Sequence, residues 1–203
     1  YRETLARYWG FTSFRPMQEE IIESVISGTD VVGLLPTGGG KSLTYQLPPV
    51  AGEGLCLVIT PLIALMKDQV TRLKTMNIKA MAIHSGMTRE EVEISLDNCL
   101  YGDYRLLYVS PERLQTQLFR ARLPRFNFTL VAVDEAHCIS QWGYDFRPSY
   151  LHIAEIRDMM NEDVPFLALT ATATPRVVED IISRLRMKNP KVCRTSFRRP
   201  NIT

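Results

Sequence analysis

Cysteine is sparse: Cys56, Cys99, Cys138 and Cys193 lie scattered along 203 residues with no C-x-x-C pair. A disulfide framework is therefore not expected, nor a structural zinc site, and a reducing compartment suits the chain. No apolar run approaches the roughly 18 residues that a membrane span needs, and the charged opening Tyr1-Arg2-Glu3 is no signal peptide. A soluble intracellular protein with no membrane partner is expected. Net charge is scarce too, because 24 Lys and Arg stand against 22 Asp and Glu to leave +2. Bulk electrostatics thus neither demands nor excludes a nucleic-acid partner, and local patches decide. Internal repeats, low-complexity tracts and linkers are missing. The 45% hydrophobic content supports one substantial core. The chain starts on Tyr1 and stops at Thr203 without a glycine cap or polar tail, and has the look of a piece of something larger.

Short β-branched runs recur at Val31 to Leu35, Leu55 to Thr60, Ala80 to His84, Leu106 to Val109, Leu130 to Val133, Phe166 to Leu169 and Val192 to Thr195. Their length and composition predict buried strands. Between them, Ile21, Ile22, Val25 and Ile26 share one helical face, as do Ile63, Met66, Val70 and Leu73, and Val177, Val178, Ile181 and Leu185. Strand and helix in alternation predict an α/β domain: a parallel sheet with helices on both faces and ligands at the carboxyl ends of its strands. Periodicity alone does not order the strands.

The first strand runs into Pro36-Thr37-Gly38-Gly39-Gly40-Lys41-Ser42 and then a helical segment. Glycines there let backbone N–H groups converge on phosphates, Lys41 reaches the β and γ oxygens, and Ser42 holds Mg2+ through its hydroxyl. Leu35 departs from the G-x-x-x-x-G-K-[ST] pattern at its first position. A glycine-rich turn with an incidental lysine is the bland alternative. The strand ending at Val133 leads into Asp134-Glu135-Ala136-His137. Asp134 suits a metal ligand and Glu135 a group that activates or orients water, a pair fitted to hydrolysis. An acidic strand terminus, or zinc on Asp134, His137 and Cys138, stays open as an alternative, though no fourth ligand sits at metal spacing.

This cradle with D-E-A-H resembles helicase superfamily 2, and the whole chain resembles its RecQ family of DNA helicases. The resemblance implies a RecA-like P-loop NTPase domain, the first of two motor lobes. It spans residues 1–195, with 196–203 starting a linker, where Phe197-Arg198-Arg199-Pro200-Asn201 is similar to the family's lobe junction. Gly10 to Gln18 resembles the family's opening motif. Gln18 offers the donor and acceptor that match the N6/N7 edge of adenine, with Phe11 and Arg15 placed to stack on it, so ATP is preferred. A helix-packing cluster is the alternative for these aromatics, and Phe14 is read as core.

The segment Ser140-Gln141-Trp142-Gly143-Tyr144-Asp145-Phe146-Arg147-Pro148 is similar to the aromatic-rich loop that couples DNA binding to hydrolysis in RecQ enzymes. Gln141, Trp142, Phe146 and Arg147 carry that expectation through stacking and phosphate contact; Tyr144 stands where histidine is expected. A small hydrophobic core under a long loop would look alike. Strand-to-helix corners at Thr60 and Ser110 suit backbone phosphates or ordinary capping. Leu169-Thr170-Ala171-Thr172-Ala173 resembles the motif that relays γ-phosphate state to nucleic acid, near Asp134 and His137, and a plain strand end capping the helix from Pro175 would look the same. In sum, the resemblance implies an enzyme using ATP and Mg2+, partnered by single-stranded DNA, duplex junctions and a second RecA-like lobe. It would translocate 3′ to 5′ and unwind duplexes in repair or recombination. Its location would be the cytoplasm (nucleoid) in a bacterium or the nucleus in a eukaryote. Another superfamily-2 ATPase, such as an RNA helicase, and a nucleotide-gated binding module are the rivals.

Overall fold

The computed structural model describes residues 1–36, 38 and 40–195. Thr37, Gly39 and the expected linker 196–203 lie outside the described residues. Among the described residues seven strands form one sheet: β1 (Val31–Leu34), β2 (Leu55–Ile59), β3 (Ala80–Ile83), β4 (Leu106–Val109), β5 (Phe128–Val133), β6 (Phe166–Thr170) and β7 (Lys191–Arg194). The helices are α1 (Arg2–Thr4), α2 (Gln18–Ile26), α3 (Lys41–Ala51), α4 (Ile63–Thr75), α5 (Arg89–Tyr101), α6 (Gln117–Arg122) and α7 (Pro175–Arg184), supplemented by tighter helical turns that include Ala136–Ile139 and Pro148–Met159.

All strand pairs are parallel, in the order β3-β4-β2-β5-β6-β1-β7. Parallel neighbours require crossover connections, so the sheet is covered on both faces. Side chains alternate accordingly. Val32, Leu57, Val131 and Ala168 pack with α5, α6 and α7, while Val31, Val58, Ala132 and Leu167 pack with α2, α3 and α4. A fully buried aliphatic side chain contributes about 1.5–3 kcal/mol, so these two layers dominate the stability of the sheet.

Helix α2 departs in one respect from its expected face: Ile21, Ile22 and Val25 are buried but Ile26 is 41% exposed at the helix end. Strand β5 begins two residues before the expected start, because Phe128 is buried while the intervening Thr129 faces solvent. At the amino end of the sheet, buried Asp30 accepts from the Phe166 N–H at 2.8 Å, the Lys188 N–H at 2.9 Å and Arg157 Nη2 at 3.0 Å. One carboxylate thus ties together the segments entering β1, β6 and β7. At the opposite end, β5, β6 and β1 are neighbours. The turns after them, which carry Asp134, Thr170 and the glycine cradle, therefore converge on one place.

Candidate nucleotide site and aromatic loop

Gly38 and Gly40 both take left-handed backbone conformations, at φ of +79° and +73°. Gly40 caps α3 with no side-chain hydrogen bond, and no acidic residue occupies the helix's first turn. Among the described residues no side chain caps the first N–H groups of α3, which makes this helix end receptive to an anion. A Cβ on Gly40 would stand 2.2 Å from Gln18 Nε2. That close approach has a purpose, since Gln18 Nε2 donates to the Gly40 carbonyl at 3.0 Å and Gln18 Oε1 accepts from the Arg15 N–H at 2.8 Å. Arg15 itself donates to the Gly38 carbonyl.

The opening motif is therefore strapped onto the cradle, with the Gln18 amide committed to backbone partners and one N–H and one lone pair left for a base. Phe11 is 50% exposed, and Phe14 packs against the small core of Leu5, Ile22, Leu43 and Leu47 while also reaching the cleft. The cleft, of about 780 Å³, is bordered by Phe11, Arg15, Gln18, Gly38, Gly40, Lys41, Ser42, Asp134 and Glu135. Its size falls within the roughly 300–1,000 Å³ usual for small-molecule sites.

Asp134 directly follows β5, borders this cleft and is 7% exposed. Burial raises its pKa, the Lys41 ammonium opposes that shift, and Glu135 adds to it. Its Oδ1 accepts from the Glu135 N–H at 3.0 Å, and its carbonyl accepts from the Tyr150 hydroxyl at 2.8 Å. Glu135 turns the chain with a left-handed φ of +51°, a conformation that costs a non-glycine residue on the order of 1–3 kcal/mol. Beyond it, buried His137 places Nδ1 at 2.8 Å from Thr170 Oγ1 and 3.5 Å from Glu135 Oε2.

Thr170 has a single hydroxyl hydrogen, and it points to the Thr172 carbonyl at 3.1 Å. The threonine oxygen must then accept from His137, which fixes the Nδ1–H tautomer and leaves Nε2 as an acceptor. Burial lowers the His137 pKa; Glu135 and Asp145 act in the opposite sense, and Lys41 and Arg147 reinforce the lowering. A neutral imidazole is the result. The Tyr144 ring stacks on it at 4.5 Å between centroids and 18° between planes, so the tyrosine that replaces the expected histidine packs on the D-E-A-H segment.

Gly143 bends the loop tightly back, and a Cβ there would meet the His137 carbonyl at 2.7 Å. Gln141 is exposed, Trp142 and Tyr144 are 60% and 75% exposed, and Phe146 and Arg147 are half-buried. The Arg147 guanidinium pairs with Asp145 at 3.3 Å, and the Arg147 backbone N–H donates to the Cys138 carbonyl at 2.9 Å. The zinc alternative on Asp134, His137 and Cys138 does not hold. The metal-capable atoms that gather among the described residues belong to His137, Cys138 and Asp145. Asp134 is not among them, Arg147 already neutralises Asp145, and burial pushes the Cys138 thiol up to about 12.

Thr60 and Ser110 are both buried at strand exits, and the Ser110 hydroxyl has no hydrogen-bond partner among the described residues. Three contacts of the site escape sequence reasoning. They are the Tyr150 bond to Asp134, the stacking of Arg176 on Trp142 at 3.4 Å from Cζ to ring centroid, and the 2.6 Å bond from Ser140 Oγ to Asp180. Arg176 and Asp180 lie on a helix legible only through its apolar stripe.

With this geometry in place, comparison with known proteins is direct. The profile of the family described as DEAD/DEAH box helicase matches residues 15–181. The chain is 43% identical over 202 residues to a probable ATP-dependent DNA helicase RecS of Bacillus subtilis, covering 99% of this chain and 40% of that protein. Against the ATP-dependent DNA helicase RecQ of the same organism it is 44% identical over 200 residues, covering 98% and 34%. Against the ATP-dependent DNA helicase Q-like 4B of Arabidopsis thaliana it is 45% identical over 206 residues, covering 96% and 17%. The chain thus spans at most 40% of the length of these relatives. The crystal structure of a hypothetical ATP-dependent RNA helicase from Sulfolobus tokodaii superposes with a TM-score of 0.73 at 21% identity, over 95% of this chain and 56% of that one. At that identity the likeness speaks for the fold alone.

Proposed function

The chain belongs to the DEAD/DEAH box helicase family and closely matches RecQ-type DNA helicases, and from that premise we propose that it is the ATP-binding motor lobe of a 3′-to-5′ DNA helicase. The observation that carries this reading is a single cleft in which the open amino end of α3 and Lys41 face the Asp134-Glu135 pair, with the aromatic loop continuing directly from those acids. A nucleoside triphosphate fits: the N–H groups that open α3 and Lys41 take its phosphates, and Phe11, Arg15 and Gln18 border the place for adenine. Thr37 and Gly39 belong to the same cradle by sequence and lie outside the described residues.

The donor set also fits Mg2+, since Ser42 offers a hydroxyl and Asp134 a carboxylate on the same cleft. Mg2+ held there would neutralise charge developing on the phosphates. Glu135 orients the attacking water. His137, held neutral by burial, shares the Glu135 carboxylate and the Thr170 hydroxyl, so a change at the acids reaches Thr170 and Thr172 at the exit of β6. Trp142 and Phe146 offer ring faces to bases, and Gln141 and Arg147 offer polar contacts to the strand. A second RecA-like lobe completes the cleft, duplex unwinding serves repair or recombination, and the protein works wherever the genome is housed.

The test is steady-state ATP hydrolysis by the full-length protein with and without single-stranded DNA, beside Lys41→Ala and Trp142→Ala. DNA stimulation that the lysine change abolishes and the tryptophan change uncouples is the expected result. Turnover indifferent to DNA and to Trp142 would sink the coupling reading. Equal stimulation by RNA of the same sequence would point to an RNA helicase, and no turnover on any nucleic acid to a gated binding module.

A further inference from the structure

Helix α7 holds the aromatic loop through two side chains that neither the core nor the nucleotide site uses. Arg176 and Asp180 are four residues apart and so share one face of the helix. The Arg176 Cζ lies 3.4 Å over the centroid of the Trp142 ring. Asp180 Oδ2 accepts from the Ser140 hydroxyl at 2.6 Å, and Ser140 Oγ in turn accepts from the Trp142 N–H at 3.1 Å. Ring and backbone of one residue are therefore fixed to α7 at two points, the first by a flat guanidinium against an indole face and the second by a charge-assisted hydrogen bond. Trp142 nevertheless remains 60% exposed. With one face covered by Arg176, the open surface is the opposite face.

The other end of this connection leads to the acids. Helix α7 starts at Pro175, after Thr174 whose hydroxyl accepts the Val177 N–H at 3.3 Å. Only a short turn separates it from Thr170, which accepts the His137 bond. The loop and the acids thus meet twice, once along the chain from His137 to Trp142 and once through α7.

We propose that Arg176 and Asp180 are positioning residues that latch the aromatic loop to α7, holding Trp142 with one face free for a DNA base so that displacement of the ring is passed to Thr170 and His137. The proposal rests on the reading of Trp142 as a DNA-coupling residue. Arg176 acts through the ring and not as a phosphate ligand. Lysine cannot take over this role, because an ammonium lacks the flat surface that stacks on indole.

The test uses the full-length protein with Arg176→Ala, Arg176→Lys, Trp142→Ala and the double variant Arg176→Ala/Trp142→Ala. DNA-stimulated and basal ATP hydrolysis, the salt dependence of single-stranded DNA binding and the melting midpoint are measured for each. Arg176→Ala is expected to lower the DNA-stimulated rate on the order of threefold to tenfold while basal turnover and melting stay unchanged. Arg176→Lys should fail to restore it, and the double variant should be no worse than Trp142→Ala alone. Should Arg176→Ala lower the melting midpoint, Asp180→Ala carries the same test through the second contact point. Rescue by lysine, a salt slope reduced by about 1, or additive losses in the double variant would overturn the latch and make Arg176 a direct DNA ligand or an independent element. If Trp142→Ala itself leaves DNA stimulation intact, the coupling reading has failed; if Trp142→Ala uncouples and neither α7 variant does, the latch alone has failed.

Discussion

His137 binds its proton less readily in the folded chain than in the unfolded one, because burial outweighs the pull of Glu135 and Asp145. An unperturbed histidine titrates near pH 6.5, roughly. Above that value both states are neutral and the residue contributes no pH dependence. As the pH falls below it, the unfolded chain takes up the proton first, so stability is lost until the lower folded pKa is passed and then levels off. His137→Gln cannot take up that proton, and its denaturation midpoint between about pH 7.5 and pH 5 should lose this component of the acid slope; an unchanged slope would show that His137 is not the titrating group. Gly40 gives a second expectation. Alanine there meets Gln18 Nε2 at 2.2 Å and inherits a φ of +73°, a conformation that costs an L-residue about 1–2 kcal/mol. Gly40→Ala should lower stability in chemical denaturation by at least that amount and weaken ATP binding, because Gln18 must leave the cradle. The glycine is legible in the motif. The reason no side chain fits lies 22 residues away in Gln18, a contact that spacing along the chain does not contain.

At the level of elements, the strands were legible because a two-sided buried sheet forces β-branched runs, and their predicted ends differ from the observed ones by a residue or two. The misses have physical causes. Thr129 faces solvent inside β5 and hides the buried Phe128 before it, and Ile26 sits at a helix end that the core no longer covers. Asp30 shows what local pattern cannot reach. It looks like an ordinary turn acid before β1, yet its carboxylate accepts from one side chain and two backbone N–H groups that are 127, 136 and 158 residues away. The Arg157 guanidinium that it holds also lies 3.8 Å over the Phe166 ring, so losing the carboxylate strands a partly buried cation and two backbone N–H groups together. Asp30→Ala should therefore destabilise the domain by about 3–5 kcal/mol in urea denaturation, far from the nucleotide site. A loss below about 1 kcal/mol would mean that solvent screens the pair as it does a surface ion pair.

The assembled sheet adds what neither residues nor elements provide: an order of strands that makes β5, β6 and β1 neighbours and gathers three sequence-distant turns. The motifs named Lys41, Ser42, Asp134 and Glu135 as partners, but their shared cleft follows from that order, as does the route from His137 through Thr170 to α7. The cations that border this cleft bear on its chemistry. Among the described residues, the arginines and lysines that border it are Arg15, Lys41 and Arg72. Arg15 is committed to the Gly38 carbonyl, and Lys41 is the main opposing charge to buried Asp134. Charge developing on a transferring phosphoryl group is ordinarily met by a further arginine, worth roughly 10³–10⁵ in rate, and in the two-lobe reading that arginine comes from the second lobe. The 203-residue chain alone should therefore bind ATP weakly and hydrolyse it at least about 10³-fold more slowly than the DNA-stimulated full-length protein, with little response to added single strands. Measuring both under single-turnover and steady-state conditions separates weak binding from slow chemistry. Hydrolysis by the isolated chain at the full-length rate would mean that the catalytic constellation is complete within one lobe, and the arginine would have to be sought among Arg15, Arg72 and the aromatic loop's own Arg147.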